Sequence, residues 1–370
     1  MLNMKIVVTG AKGFIGKNLC LRLHEIGYSD VHEVDIETTP EQLETALENA
    51  DFVFHLAGVN RPKDENEYKT GNSDLTQTII SLLGRQAKPA SLMISSSTQA
   101  EADNPYGVSK ASAEAIVEHY GKTHNAPYFI YRFPNVFGKW CRPNYNSFVA
   151  TFCYNIVNDI EINIHDPSAT VTLVYIDDVC KELISLLEAP QGSGHCAVSP
   201  TYPTTVGEVA DLLYAFKESR ETLVTEEVGT GLTRALYSTY LSYFTPQKFS
   251  YDVPAYGDER GVFCEMLKTP SAGQFSFFTA HPGITRGGHY HHSKNEKFLV
   301  IKGKALFKFE HVISGERHEL VTEASTPKVV ETVPGWTHDV TNIGDEELIV
   351  MLWANEIFDR EAPDTVARPL

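Results

Sequence analysis

Residues 4–9, Met-Lys-Ile-Val-Val-Thr, form a β-branched and apolar run, the pattern of a buried parallel strand. A glycine turn follows, then a helical stretch from about Gly13 to Ile26. The same rhythm repeats along the chain. A strand is predicted at Val31–Asp35, helical spacing from Pro40 to Asn49, and an apolar strand from Asp51 to Leu56 that runs into Ala57 and Gly58. Another strand is predicted at Ser91–Ser95, a helix over Tyr106–Thr123, and a strand over Tyr128–Arg132. Strands alternating with helices predict an α/β fold with a parallel, doubly wound sheet. Past about residue 245 the texture changes. Short strands at Gly261–Leu267, Gly273–Ala280, Glu296–Ile301, Ala305–His311 and Leu348–Ala354 are separated by Gly, Pro and Asp, which predicts an all-β barrel or sandwich. The boundary falls in 240–257, where Pro246 and Pro254 stand among polar residues, giving domains of 1–245 and 246–370.

A length of 370 residues suits two such domains. With 42% hydrophobic and 21% charged residues, the chain has the composition of an ordinary soluble globular protein. The formal net charge of −17 argues against nucleic acid or an anionic membrane as partner, so an anionic substrate needs a local basic pocket. No apolar run reaches the roughly 18 residues of a membrane span. Residues 1–5 lead straight into a strand with no visible signal peptide. The cysteines Cys20, Cys141, Cys153, Cys180, Cys196 and Cys264 are scattered without a C-x-x-C, as expected of reduced thiols in a cytoplasmic protein.

Two constellations carry chemistry. The first is Thr9-Gly10-Ala11-Lys12-Gly13-Phe14-Ile15-Gly16, which follows a strand and opens a helix. In that context the glycines allow a tight turn and close approach of pyrophosphate to the helix N-terminus. Asp35 ends the second strand about 20 residues on, where an acid can bind ribose hydroxyls and favour NADH. In Tyr106-Gly107-Val108-Ser109-Lys110, i and i+4 share a helix face, so Lys110 can stabilise a Tyr106 phenolate. The serine run Ser95-Ser96-Ser97 and Thr98 offers hydroxyls to hold a substrate oxygen.

These residues resemble the extended short-chain dehydrogenase/reductases, Rossmann-like enzymes acting mostly on nucleotide sugars. The matches are Gly10/Gly13/Gly16, the segment 51–58, Asn104 through Lys110, Arg132 through Gly138 and Val174 through Val179, across about the first 180 residues. The resemblance implies Tyr106 as proton donor and Lys110 on the nicotinamide ribose. Ser97, or its neighbours Ser96 or Thr98, would bind the substrate oxygen. The cofactor set is then Gly10, Lys12, Gly13, Phe14, Ile15, Gly16, Asp35, Leu56, Ala57 and Gly58, with Tyr106 and Lys110. Asn135, Arg142 and Asn146 are candidates for contacting the nucleotide sugar.

The second constellation is His289-Tyr290-His291, Glu296 after a gap of four, and His338 further on. On a strand, i and i+2 share a face, so His289 and His291 can point together into a barrel, with His292 facing outward. Three imidazoles and a carboxylate suit Zn²⁺ or another divalent transition metal. The spacing resembles the cupin double motif, which implies a jelly-roll barrel. Segments 258–265 and 283–290 resemble the cupin-fold deoxysugar epimerases. That likeness implies Arg260 and Arg286 as a clamp on a nucleotide diphosphate and His289 as the base. A single imidazole nitrogen cannot be both base and metal ligand. If His289 holds metal, the base is another residue, with Lys297, Tyr290 and Glu265 as candidates, or a metal-bound water.

A 4-keto sugar connects the halves: its carbonyl acidifies the C3 hydrogen for a base and accepts hydride in a reductase. The order of the two halves resembles the bacterial capsular-polysaccharide and O-antigen enzymes of the CapF type. Segments 137–146 and 294–299 carry that likeness beyond the generic motifs. It implies C3 epimerisation of a UDP-2-acetamido-2,6-dideoxy-4-keto-hexose, then C4 reduction to UDP-N-acetyl-L-talosamine on the route to N-acetyl-L-fucosamine. It also implies NADPH rather than the NADH suggested by Asp35, Zn²⁺ in the cupin, and a homodimer joined through the cupins. The rival reading is a nucleotide-sugar 4-ketoreductase whose cupin only dimerises or binds.

Overall fold

The computed structural model describes residues 4–62, 64–188, 192–253, 255–258, 261–264, 266–267, 269, 273–356 and 361–370. The chain divides into two compact units. One comprises residues Met1–Phe137 and Thr172–Pro203; the other comprises Gly138–Val171 and Thr204–Leu370. Contacts therefore group the helices Phe148–Val157, Val206–Thr222 and Gly231–Leu241 with the all-β region.

The first unit is built on a six-stranded parallel sheet. Its order is Val31–Val34, Ile6–Thr9, Phe52–His55, Ser91–Ser97, Tyr128–Phe133 and Gly194–Cys196. Each predicted strand and helix of this region is present, within two residues at each end. The chain leaves Ile6–Thr9 for the strand on one side and returns to pair on the other. The crevice where ligands bind in open α/β sheets therefore opens at the C-terminal ends of Ile6–Thr9 and Phe52–His55. The central strands are buried on both faces. Val7, Val53, Leu92 and Ile130 pack with Leu43, Ile79, Leu83 and Val117 from the helices into one core. This is why those strands read as continuous apolar runs.

In the second unit two five-stranded antiparallel sheets hold the predicted all-β region except the strand Gly261–Cys264, which pairs with Ala255–Asp258 in a separate two-stranded sheet. One orders Ser250–Asp252, Lys328–Glu331, Glu296–Lys302, Leu348–Ala354 and Gln274–Ala280. The other orders Arg317–Glu323, Lys304–His311, Trp336–Asn342, Thr285–Tyr290 and Val366–Ala367. Their inner faces meet through Phe298, whose ring centroid lies 5.7 Å from Phe307 and 6.1 Å from His338. Among the described residues no helix is long and apolar enough to cross a membrane.

Candidate active and metal sites

Gly10 turns out of the strand Ile6–Thr9 with φ +70°, a conformation that favours glycine. A Cβ on Gly10 would lie 2.7 Å from the Ala57 nitrogen, and one on Gly16 would lie 2.1 Å from the Gly10 carbonyl oxygen. The loop is thus packed without side chains against the Phe52–His55 strand end and the helix Phe14–Glu25, which Phe14 and Ile15 open. Gly13 caps that helix with no side-chain hydrogen bond. Its first N–H groups are left for an anion, the arrangement that cradles pyrophosphate. These residues fit a dinucleotide.

Asp35 stands at this corner as expected, and its carboxylate serves the loop. It accepts from the Lys12 backbone N at 2.6 Å and from the Ile36 N at 2.8 Å. The exposed Lys12 ammonium pairs with Glu37. Leu56, Ala57 and Gly58 follow the neighbouring strand, and the Ala57 N–H donates to Thr9 Oγ1 at 3.2 Å.

Asn104 caps the helix Pro105–His124, its Oδ1 accepting from Gly107 N at 2.8 Å, so Tyr106 falls in the first turn and Lys110 one turn later. Burial raises the Tyr106 pKa, and the neighbouring Ser97 hydroxyl works against that rise. Lys110 is buried; its Nζ donates to the Ser95 carbonyl at 3.0 Å, and burial lowers its pKa to about 8. Ser96 is excluded as the substrate hydroxyl because it donates to the buried Glu114 carboxylate, which Arg132 also holds. Of the serine candidates, Ser97 is the one brought to Tyr106.

Sequence reasoning missed the buried polar chain behind this pair. Thr9 Oγ1 lies 2.7 Å from His55 Nδ1, and His55 Nε2 lies 2.9 Å from Thr76 Oγ1. Burial lowers the His55 pKa to about 3, so the ring is neutral. Asn72 bonds both Val59 backbone groups and, through Nδ2, Ser109 Oγ at 2.9 Å. A Cβ on Gly58 would lie 2.8 Å from Asn72 Oδ1 and 3.0 Å from Lys110 Nζ, so the missing side chain leaves room for both. Glu114 stands four residues past Lys110, and that spacing was its one sequence signal.

In the second unit His289, His291, Glu296 and His338 each offer a ligand atom, and these atoms lie within 4.8 Å of one another. The strand Thr285–Tyr290 is irregular between Gly287 and His289 and ends before His291. His291 follows the strand directly and its ring lies 5.0 Å from that of His289, so the i, i+2 spacing brings the two histidines together as expected. Glu296 opens its strand and His338 lies within Trp336–Asn342, as expected. Glu296 Oε2 lies 3.3 Å from His291 Nε2 and 3.5 Å from His338 Nε2. Burial works to raise the Glu296 pKa, but the His291 and His338 hydrogen bonds hold it well below the usual carboxylate range. Burial, then the neighbouring His338 and His291, lowers His289 to about 4. Three imidazoles facing one carboxylate make a donor set that fits Zn²⁺.

The remaining candidates divide. His292 is buried against the Tyr290 ring, which corrects the expectation that alternation turns it outward. Lys297 does not face the ligand cluster. It pairs with buried Glu331 beneath Tyr251, on the strand face opposite Glu296, so it is not a base there. Tyr290 is likewise buried beside His292. The Arg286 guanidinium lies 5.2 Å over the Phe278 ring and donates to the Thr279 carbonyl at 3.1 Å. Phe278 packs on Phe298, which packs on His338, so Arg286 stands two rings from the cluster. Arg260 and Glu265 lie outside the described residues. Asn135 donates to the Thr172 carbonyl at 3.4 Å, and exposed Arg142 stacks on Tyr145.

Residues 6–198 match the NAD dependent epimerase/dehydratase family, and residues 256–366 match the polysaccharide biosynthesis C-terminal domain. The chain is 53% identical over 365 residues to a UDP-2-acetamido-2,6-beta-L-arabino-hexul-4-ose reductase of Pseudomonas aeruginosa, covering 98% of each chain. It is 42% identical to the solved capsular polysaccharide assembling protein CapF from Staphylococcus aureus, over 99% of this chain and 100% of that one, with a TM-score of 0.69. A UDP-glucuronic acid 4-epimerase from Bacillus cereus, solved with NAD, is 23% identical over 57% of this chain and 83% of that one, with a TM-score of 0.51. That last likeness speaks to the fold of the parallel-sheet unit.

Proposed function

We propose a two-step reaction for this chain, and its family is the premise: it belongs to the NAD dependent epimerase/dehydratase family and carries a polysaccharide biosynthesis C-terminal domain. It is a nicotinamide-dependent nucleotide-sugar epimerase/reductase. The substrate is a UDP-2-acetamido-2,6-dideoxy-4-keto-hexose. The cupin module, residues 246–370, inverts C3. The reductase module, residues 1–245, then reduces C4 to give UDP-N-acetyl-L-talosamine, a precursor of UDP-N-acetyl-L-fucosamine for capsule or O-antigen. The observation that carries this reading is the pairing, in one chain, of a Tyr106–Ser97–Lys110 constellation with a His289–His291–Glu296–His338 cluster.

In the reductase module Tyr106 gives its phenolic proton to the C4 oxygen, which Ser97 fixes by a second hydrogen bond. Lys110 stabilises the phenolate left behind. The nicotinamide, when bound at the glycine loop, supplies the hydride. NADPH is the coenzyme of this reading: Asp35 is occupied in capping the loop, and Lys12 is a cation at that corner for a 2′-phosphate. In the cupin module the 4-keto group acidifies the C3 hydrogen, so a base removes it and a proton returns on the opposite face. His289, His291, Glu296 and His338 would hold Zn²⁺, which when bound supplies Lewis-acid polarisation of a carbonyl. His289 is the half-buried member of a cluster otherwise buried, which supports it as the one that meets the sugar. Arg286, with Arg260, would clamp the diphosphate, while Asn135 would contact the nucleotide sugar at the reductase. Two copies pair through the cupins; Phe275 and Phe277, 50% and 68% exposed on the edge strand Gln274–Ala280, support that contact.

The deciding experiment is NMR in D₂O on the UDP-4-keto sugar with enzyme and no nicotinamide. Deuterium appearing at C3 is expected. Its absence, in protein that still oxidises NADPH with a keto sugar, leaves a plain 4-ketoreductase.

A further inference from the structure

Residues 291–295 form a buried loop between two metal-site elements, with no strand partner of their own. Backbone N–H groups in such a loop must find acceptors, since an unpaired buried donor is costly. Three consecutive donors find theirs in one side chain about 70 residues away. The Asp364 carboxylate accepts from His292 N at 2.9 Å, Ser293 N at 2.6 Å and Lys294 N at 2.7 Å, and from Ser293 Oγ at 3.0 Å. The backbone carbonyl of the same residue faces His291 Nδ1, which fixes that ring with Nδ1 protonated and Nε2 turned to Glu296.

The residues that follow continue the contact. Val366 and Ala367 pair with Tyr290 and His289. Arg368 N donates to the Gly288 carbonyl at 2.8 Å, and Thr337, next to His338, donates to the Arg368 carbonyl at 2.9 Å. The elements carrying His289, His291 and His338 are thus all tied to residues 364–368.

We propose that Asp364 is the positioning residue of the metal site: its carboxylate holds the 292–294 amides and its strap fixes the three histidines in a metal-ready arrangement. The inference rests on the reading of the four-residue cluster as a Zn²⁺ site. Preformed ligands bind metal without ordering the loop on arrival, and outer partners of this kind change metal affinity by about 10- to 100-fold. A residue that merely stabilised the fold would lower the melting temperature and leave the zinc affinity of the folded protein unchanged.

The test is competition between the full-length, zinc-stripped chain and a chromophoric chelator for Zn²⁺, in the parent, Asp364→Ala and Asp364→Asn. Circular dichroism and nicotinamide coenzyme binding at the other unit report the fold. The expected result is one tightly held Zn²⁺ in the parent and a loss of about 10- to 100-fold in D364A. D364N places an amide donor against the loop N–H groups at unchanged volume, so it carries the same expectation should D364A fail to fold. Equal zinc affinity in a folded variant and the parent overturns the positioning role alone. A parent that holds no Zn²⁺ overturns the metal reading and this inference together.

Discussion

Lys110→Met is expected to stabilise the protein while abolishing reduction. Lys110 is 7% exposed, and burial takes its pKa from an ordinary 10.5 to about 8, against an opposing pull from Glu114. A fall of that size means the charged form costs about 3 kcal/mol in the folded chain. The folded pKa lies below the unfolded one, so the unfolded chain holds this proton more tightly between the two values. The cost is therefore complete below about pH 8 and shrinks as the pH rises towards 10.5, to about 1 kcal/mol at pH 10. Methionine removes it at similar volume. It also leaves the Ser95 carbonyl without the ammonium that donates at 3.0 Å, a loss of about 1 kcal/mol. The net gain is about 1–2 kcal/mol at pH 7 and about zero at pH 10. Urea titration of the full chain at both pH values measures it. Hydrogen exchange in residues 91–133 assigns the change to the parallel-sheet unit, because a chain of two units need not unfold in one step. A variant no more stable than the parent at pH 7, or equally stabilised at pH 10, would refute the reasoning.

The other predictions separate the two chemistries and the assembly. Tyr106→Phe is expected to lower C4 reduction by about 10²- to 10⁴-fold with coenzyme affinity unchanged, by stopped-flow and fluorescence titration, and to leave deuterium incorporation at C3 intact. Reduction within tenfold of the parent would remove Tyr106 as the proton donor. Lys12→Ala is expected to raise KM for NADPH about tenfold and leave NADH alone, a loss the size of one charge-assisted phosphate contact. Equal effects on both coenzymes would return Asp35 to the ribose and NADH to first place. Phe277→Glu is expected to shift sedimentation from dimer to monomer. A variant that sediments as the parent does places the dimer contact elsewhere.

What the sequence made legible follows from the range of each interaction. The parallel sheet was readable because strands buried on both faces leave continuous apolar runs such as Ile6–Val8. The helix Gly231–Leu241 was not: its serines, threonines and tyrosines are nearly all buried by tertiary packing, which erases the polar stripe. At the metal site His289 and His291 announce themselves by spacing, because Tyr290 between them turns to His292 and leaves the two imidazole rings 5.0 Å apart. Lys297 was excludable from the sequence, because Glu296 faces the cluster and period-two alternation sends its neighbour the other way. The choice of Ser97 over Ser96 was not legible, since it turns on Glu114 arriving from a different element to claim the Ser96 hydroxyl. Asp364 is the extreme case: no motif surrounds it, and its role exists only once the chain has folded it back on residues 292–294. Reactive groups leave short-range signatures because their chemistry fixes their type and spacing. The residues that orient them need only an acceptor in the right place, and many positions in a sequence can supply one.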